Sequence, residues 1–403
     1  MTNLPQGWEV KTLSAIGEIV TGSTPSKSNL DFYGKDYPFF KPSDFEQGYF
    51  LENAGDNLSK LGFGKARQLP PKTILVVCIG SLGKVALTKV IGSCNQQINA
   101  IIPHKNIISE YIYYYCISSK FQSILFSKAP QTTLAILNKT EFSKLEIIYP
   151  KDIKEQERIV GILDFAFSKI DENIKKAKEN LANIDELMQS ALQKAFNPLN
   201  DNTKENYQLP QSWEWKSLGD TSNYGKTSQV KPSQLKGNDW ILELEDIEKE
   251  SGVLLQKVLF QDRQSKSNKI KFNKGDILFG TLRPYLKKVI IADDNGACSS
   301  EIMPFSTGNS ITNHFIYYYL FANFLHDRIS SLTYGARMPR LGTKDGKSLQ
   351  IPLPPLQEQE QIAEHLDFVF EKAKALKELY TKELKDYEEL KQSLLDKAFK
   401  GEL

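Results

Sequence analysis

Two stretches of this chain place apolar residues at steps of three and four over some forty positions each. The first runs through Ile159, Leu163, Ala166, Ile170, Ile174, Ala177, Leu181, Ile184, Met188, Ala191 and Ala195. The second runs through Ile362, Leu366, Val369, Ala373, Leu376, Tyr380, Leu384, Tyr387, Leu390, Leu394 and Ala398. That spacing predicts two long helices whose apolar seams pair with a helix. No proline interrupts either after its first turns, and Asn197 and Pro198 end the first. A helix of this length is a rod of roughly 65 Å at the usual rise per residue. Phe165 and Phe368 are assigned to the intramolecular core of these rods.

Ahead of each helix lie short β-branched and aromatic runs bounded by Gly, Pro, Asn and Asp. In the first half they predict strands at Tyr37 to Phe40, Thr73 to Ile79, Ile98 to Ile102 and Leu145 to Tyr149. Their counterparts are Trp240 to Leu244, Asp276 to Phe279, Ser300 to Phe305 and Leu349 to Leu353. A helix is predicted from Ser109 to Phe126, and its YIYYYC core returns as FIYYYL from Phe315 to Leu320.

The chain therefore states its plan twice. Glu155, Gln156, Glu157, Ile159, Leu163, Asp164, Phe165 and Phe167 recur as Glu358, Gln359, Glu360, Ile362, Leu366, Asp367, Phe368 and Phe370. Over the helices the match is ungapped, with 18 identities in 43 positions. The openings match as well, Pro5, Gln6, Trp8, Glu9, Lys11 and Leu13 answering Pro210, Gln211, Trp213, Glu214, Lys216 and Leu218. A duplicated chain can fold with internal two-fold symmetry, and that symmetry suits a two-fold target such as duplex DNA. The fold class expected is α+β: two mixed α/β lobes joined by two long antiparallel coiled-coil helices, with an internal pseudo-two-fold repeat.

Composition changes this picture only locally. The formal net charge is +2 over 403 residues. Residues 1 to 150 carry 15 Lys+Arg against 11 Asp+Glu, and 209 to 356 carry 19 against 15, whereas both helices are acidic. A polyanion would accordingly meet the lobes, and a protein partner the helices. The four cysteines, Cys78, Cys94, Cys116 and Cys298, form no CxxC pair and have no histidine at ligand spacing, so no metal site and no cofactor are expected. Reduced thiols and the absence of an export signal or a membrane-length apolar run point to a cytoplasmic protein without a membrane partner.

Three motifs invite catalytic readings and fail them. Ile79 to Lys84 resembles a phosphate loop, but Cys78 and Val85 occupy the places of its first glycine and its hydroxyl. Glu383 with Lys385, and Glu389 with Lys391, imitate a nuclease pair on what reads as a solvated helix face. Leu353, Pro354, Pro355 and Leu356 lack the polar and aromatic residues that would hold a target adenine. A non-catalytic reader is the expectation.

The PQGWEVKTL and PQSWEWKSL openings, the Gly22 to Ser26 run GSTPS, and the segments Leu145 to Asp164 and Leu349 to Asp367 resemble the DNA specificity subunit of type I restriction-modification enzymes. The resemblance covers essentially the whole chain. It implies target recognition domains over 1–153 and 209–356, spacer helices over 154–197 and 357–403, and a linker over 198–208. It further implies that each lobe reads half of a bipartite site in double-stranded DNA. The helices would then fix the unread spacer and dock two methyltransferase (modification) subunits, with restriction subunits joining. The second lobe departs from the pattern, Tyr224 to Thr227 being only a loose match to GSTP. A free-standing DNA-binding regulator and a coiled-coil scaffold remain as alternatives.

Reading base edges needs Arg or Lys for guanine, Asn or Gln for adenine and acids for cytosine, presented on loops. The first lobe offers Ser23, Thr24, Lys27, Lys41, Ser43, Asn95, Gln96, Gln97, Gln131, Thr132 and Thr133. The second offers Lys226, Thr227, Arg283, Tyr285, Lys287, Ser299, Glu301, Arg337 and Arg340. Phe196 and Phe399, at the helix ends, are expected as anchors for the partner subunits.

Overall fold

A computed structural model describes residues 4–129, 135–200, 207–263 and 266–403. It divides into two units, Met1–Ala177 with Lys382–Leu403, and Lys178–Thr381. Each unit thus holds one lobe, the beginning of the helix that follows that lobe, and the far end of the other helix.

In the first unit a five-stranded sheet has the order Gly17–Thr21, Ile98–Pro103, Ile74–Val77, Val85–Thr88, Phe50–Leu51. A three-stranded sheet of Asp56–Leu58, Tyr33–Phe40 and Ser93–Cys94 accompanies it. The continuous apolar run Ile74 to Val77 is fully buried, as expected of a strand covered on both faces. The predicted helix from Ser109 to Phe126 is two helices, Ser109–Ile117 and Ser119–Lys128. Ser118 breaks it by adopting an extended backbone, and its hydroxyl accepts a hydrogen bond from the Phe121 amide.

In the second unit the corresponding sheet keeps three strands, Val289–Ile291, Ile277–Gly280 and Ile302–Phe305. Where the first lobe has the strand Gly17–Thr21, the second has only an isolated bridge between Ser222 and Thr307. The missing GSTP counterpart follows from this loss, since the strand that launches that loop is absent.

The duplicated opening pairs with the duplicated segment before each helix. Trp8–Thr12 runs antiparallel to Glu146–Pro150, with Trp8 opposite Pro150. Glu214–Ser217 does the same with Gln350–Leu353, Glu214 opposite Leu353. These two recurring segments of the repeat unit are hydrogen-bond partners, which gives a physical reason for both to recur.

The long helices span Ile153–Phe196 and Leu356–Ala398. Within each unit their segments run antiparallel: Asp171 pairs with Lys391 at 2.6 Å in the first, and Asp185 with Lys377 in the second. Ile159, Leu163, Leu395 and Ala398 share the core of the first unit. Ile184, Met188 and Ala373 cluster in the second. Leu376 and Leu390, assigned above to the seam, are 42% and 45% exposed, the more covered positions being Ala373, Lys377 and Tyr380 around the first and Tyr387, Lys391 and Leu394 around the second.

Phe196 and Phe399 are corrected in the opposite direction. Phe196 is fully buried with its ring edge on to Phe315 and Tyr319, and Phe399 is 5% exposed against Tyr111 and Tyr115. Each closes the aromatic core of a lobe and has no surface left for a partner. Phe165 and Phe368 exchange roles with them, being 68% and 59% exposed at equivalent places on the two helices. The aromatic that does pack from this motif is the next but one, Phe167 on Tyr114 and Phe370 on Tyr318.

Among the described residues no helix is long and apolar enough to cross a membrane, and no cluster of side chains suits a metal ion. All four cysteines are buried free thiols, and burial pushes Cys78 and Cys94 up to about 12.

Candidate nucleic-acid interface

The lobes are fastened to their helices by a repeated device. Gln156 is fully buried; its Oε1 accepts from the Ile108 amide at 2.9 Å, and its Nε2 donates to the carbonyls of Pro150 and Asn106. Gln359 is also fully buried, accepting from the Thr312 amide at 2.9 Å and donating to Pro354 and Ser310. One helical side chain therefore satisfies a donor and two acceptors of the lobe, groups that burial would otherwise leave unpaired. A second tie lies two turns on, where the Tyr114 hydroxyl donates to Asp164 and the Tyr318 hydroxyl to Asp367. Burial and the adjacent carboxylate both raise these tyrosines, so each remains a donor.

The far end of the other helix completes the mounting. Gln392 accepts from the Ser119 amide at 3.1 Å in the first unit, and Gln189 accepts from the Asn323 amide at 3.1 Å in the second. A lobe held through both helices has a defined orientation toward them.

On this base each lobe presents two loops tied to one another. In the first, the turn after Ile74–Val77 bridges a second loop through Ile79 and Ile136, and the Gly80 amide donates to Ala135 at 3.2 Å. In the second, the turn after Ile277–Gly280 bridges through Leu282 and Arg340, and the Arg283 amide donates to Pro339 at 2.7 Å. The phosphate-loop look of Ile79 to Lys84 is explained here: Gly80 and Gly83 have φ of 83° and 90°, which the turn requires. Gln131, Thr132 and Thr133 fall outside the described residues, as do residues 201–206 of the linker.

The structure gathers several of the expected residues in the first lobe. The Gly22 loop lies on the strand edge at Asn95, so close that a Cβ on Gly22 would meet the Asn95 carbonyl oxygen at 2.0 Å. The Ser23 amide donates to the Cys94 carbonyl at 3.0 Å, and the Thr24 hydroxyl donates to Gln96. Asn95 is buried and engaged with Gln97 at both ends of its amide, so it positions the loop and is not free to read a base. Lys41 is paired with Asp56, and Lys27 and Ser43 are exposed. Arg67 was missed: it is exposed beside this loop, its guanidinium donating to Thr21 and its amide to Ser23. Only the tertiary contact distinguishes it from an ordinary surface arginine.

In the second lobe Arg283, Tyr285, Glu301, Arg337 and Arg340 come together. The hairpin Thr333–Tyr334 with Arg340–Leu341 carries Arg337 and Met338 at its tip, and Tyr334, Met338 and Tyr285 are 60%, 59% and 50% exposed. Arg340 donates to the Ser300 carbonyl at 3.3 Å, and the Glu301 carbonyl accepts from Thr281 at 2.8 Å. Lys226 and Thr227 are exposed on a separate turn. Two candidates are corrected. Lys287 is 6% exposed, its ammonium donating to the Phe321 carbonyl and to Asn323, and burial lowers it. Ser299 is buried at 8% exposure, its amide donating to the Leu242 carbonyl and its carbonyl accepting from the Ile302 amide. Both support the site from inside; neither faces a ligand.

A family model described as the type I restriction modification DNA specificity domain matches residues 5–183 and again 210–385. The chain belongs to this family. Members similar to it include the HindI specificity subunit of Haemophilus influenzae, 39% identical over 176 residues, 42% of this chain and 38% of that subunit. The MjaIX specificity subunit of Methanocaldococcus jannaschii is 29% identical over 54% of this chain and 52% of its own length. The EcoDI specificity subunit of Escherichia coli is 23% identical over 99% of this chain and 89% of that one. The alignments to the first two thus span about half of those subunits or less. Among solved structures, a chain from work on complex assembly and conformational transition of the type I R-M system has a TM-score of 0.79 at 18% identity, covering 100% of both chains. The HsdS subunit from Thermoanaerobacter tengcongensis has a TM-score of 0.54 at 20% identity, covering 99% of this chain and 98% of its own. These likenesses establish the specificity-subunit fold, and the two family matches fall one on each half of the repeat.

Proposed function

We propose that this chain is the DNA-reading subunit of a type I restriction-modification enzyme, each lobe reading one half of an asymmetric bipartite site. The observation that carries the reading is the twice-built mounting: a two-loop surface on each lobe, clamped by a buried glutamine to one long helix and braced by the end of the other. Unlike loops on like scaffolds imply unlike half-sites. The helices set the spacer between them. Phosphates and base edges are met by Ser23, Thr24, Lys27, Gln96 and Arg67 in the first lobe, and by Arg283, Tyr285, Arg337 and Arg340 in the second.

The chain supplies no catalysis of its own in this reading. Two methyltransferase subunits, with restriction subunits added, dock along the helices and act on adenines flipped from the stack. Phe165 and Phe368, exposed and related by the repeat, replace Phe196 and Phe399 as the anchors; two copies of one partner would meet the same residue on each half. Work in a cytoplasm follows from the DNA target.

Co-expression with the methyltransferase of the same system tests the proposal. Capture of two methyltransferase copies per chain, with methylation at a split motif of two unlike halves in the host genome, is the expected result. Tight, sequence-specific binding by the isolated chain without a captured methyltransferase would favour the free-standing regulator.

A further inference from the structure

The two lobes build corresponding turns with different residues, the second one residue longer, closed by Val77 N–H to the Lys84 carbonyl in one and by Gly280 N–H to the Lys288 carbonyl in the other. After equivalent strands, and tied by equivalent bonds to the second loop, the first lobe has Gly80 and Gly83 where the second has Arg283 and Lys287. Positive φ is kept: Gly80 and Gly83 have φ of 83° and 90°, while Arg283 has φ 49° and ψ 56° and Lys287 φ 46° and ψ 44°, both left-handed. Glycine enters that region freely, whereas a residue with a Cβ is disfavoured there. Lys287 has a structural reason, since its buried ammonium fastens the turn to Phe321 and Asn323, which in turn are held by Gln189 of the first long helix.

Arg283 has no such reason. Its side chain is exposed, and it makes no ion pair and no side-chain hydrogen bond among the described residues. Elsewhere in the same lobe Lys257 is paired with Asp293 and Lys269 with Glu243, whereas the cations gathered near Arg283 have no acidic partner among the described residues, Arg340 donating only to the Ser300 carbonyl. A long cation placed at a disfavoured backbone position, without a partner, beside an exposed Tyr285 and a hairpin carrying Arg337, is free to meet a group outside the chain. A diffuse phosphate contact is available to any flexible lysine nearby and does not need this anchoring. The planar fork of an arginine whose backbone is anchored, by its amide to the Pro339 carbonyl and by its carbonyl to the Leu286 amide, matches the O6 and N7 acceptors of guanine in the major groove.

Building on the function proposed above, we infer that Arg283 is a specificity-determining residue of the second lobe, reading one guanine through a bidentate contact. The first lobe has no counterpart, its Gly80 bringing bare backbone to the same place. The replacement of glycine by arginine at corresponding turns then contributes to the asymmetry between the two half-sites.

The test uses the complex assembled with its methyltransferase and a duplex library randomised over both half-sites and the spacer. The wild type selects a bipartite motif containing a G·C pair in one half. Arg283→Gly is expected to leave the melting temperature unchanged or higher, since glycine relaxes the turn. It should abolish the preference at that one pair and weaken binding of the selected duplex roughly 5- to 150-fold, leaving the other half-site intact. Arg283→Lys, which keeps the charge but not the fork, should lose the same preference. A marked fall in melting temperature for Arg283→Gly would make the residue structural. An unchanged motif, or a uniform weakening with a shallower salt dependence, would overturn base reading by this residue. If the wild-type complex selects no bipartite motif, the function proposed above fails instead.

Discussion

Replacing Gln359 by methionine preserves length and volume while deleting every polar atom of one clamp. The Thr312 amide then loses its acceptor, and the Pro354 and Ser310 carbonyls lose donors at 2.8 and 3.0 Å. The bond to Pro354 is fully buried, while the others lie nearer solvent, where water can partly replace the side chain. Leaving a buried group unpaired costs about 1–3 kcal/mol, and a partly exposed one less, so about 2–4 kcal/mol in total is expected. For Gln156 the bond to Asn106 is already long at 3.4 Å, and the same substitution should remove less. Urea unfolding of the two variants measures the ranking, and amide hydrogen exchange locates it, with protection lost at Thr312 in one and at Ile108 in the other. Because the clamp fixes the lobe to its helix, binding by the Gln359→Met complex should also discriminate less between spacers differing by one base pair. A loss below about 1 kcal/mol, or a larger effect at Gln156 than at Gln359, would refute the view that these glutamines hold the lobes.

Phe196→Ala should destabilise the protein by about 3–5 kcal/mol by opening a cavity among Phe315 and Tyr319, while Phe165→Ala and Phe368→Ala stay within about 0.5 kcal/mol. In co-purification each of the latter two should lose one methyltransferase copy and the double variant both; full capture by the double variant would exclude them as anchors. His326 is buried with its Nε2 at 2.6 Å from the Leu320 carbonyl, and burial lowers its pKa to about 4. A group depressed below its unfolded value stabilises the fold above that value. Its contribution is complete above about pH 6.5 and falls by about 3 kcal/mol as pH drops to about 4. His326→Gln should flatten urea midpoints across that window, and an unchanged slope would assign acid lability elsewhere. Arg337→Ala should weaken duplex binding by about 1–3 kcal/mol without changing the melting temperature, as read by titration with the selected duplex.

The sequence alone determined the framework, because its causes are local or repetitive. Helical periodicity over some forty residues, strand runs bounded by turn residues, and an ungapped repeat are properties of the chain as written. They fixed two lobes, two rods and their pairing. Tertiary structure decided which face of each pattern was used. Phe165 and Phe167 stand two apart on one helix and are equally apolar, yet Tyr114 receives only Phe167, and the helical period turns the other to solvent. The buried role of Gln156 and Gln359 was invisible in the same way, since a glutamine in an acidic helix start reads as surface until the orphaned groups of the lobe are seen around it. Candidate readers divided likewise: Asn95 spends its amide on Gln97 two residues on, Lys287 spends its ammonium on Phe321 and Asn323 far along the chain, and Arg283 has no such side-chain partner among the described residues. Periodicity reports that a face will be buried, and only the packed neighbours decide which residues of that face are covered.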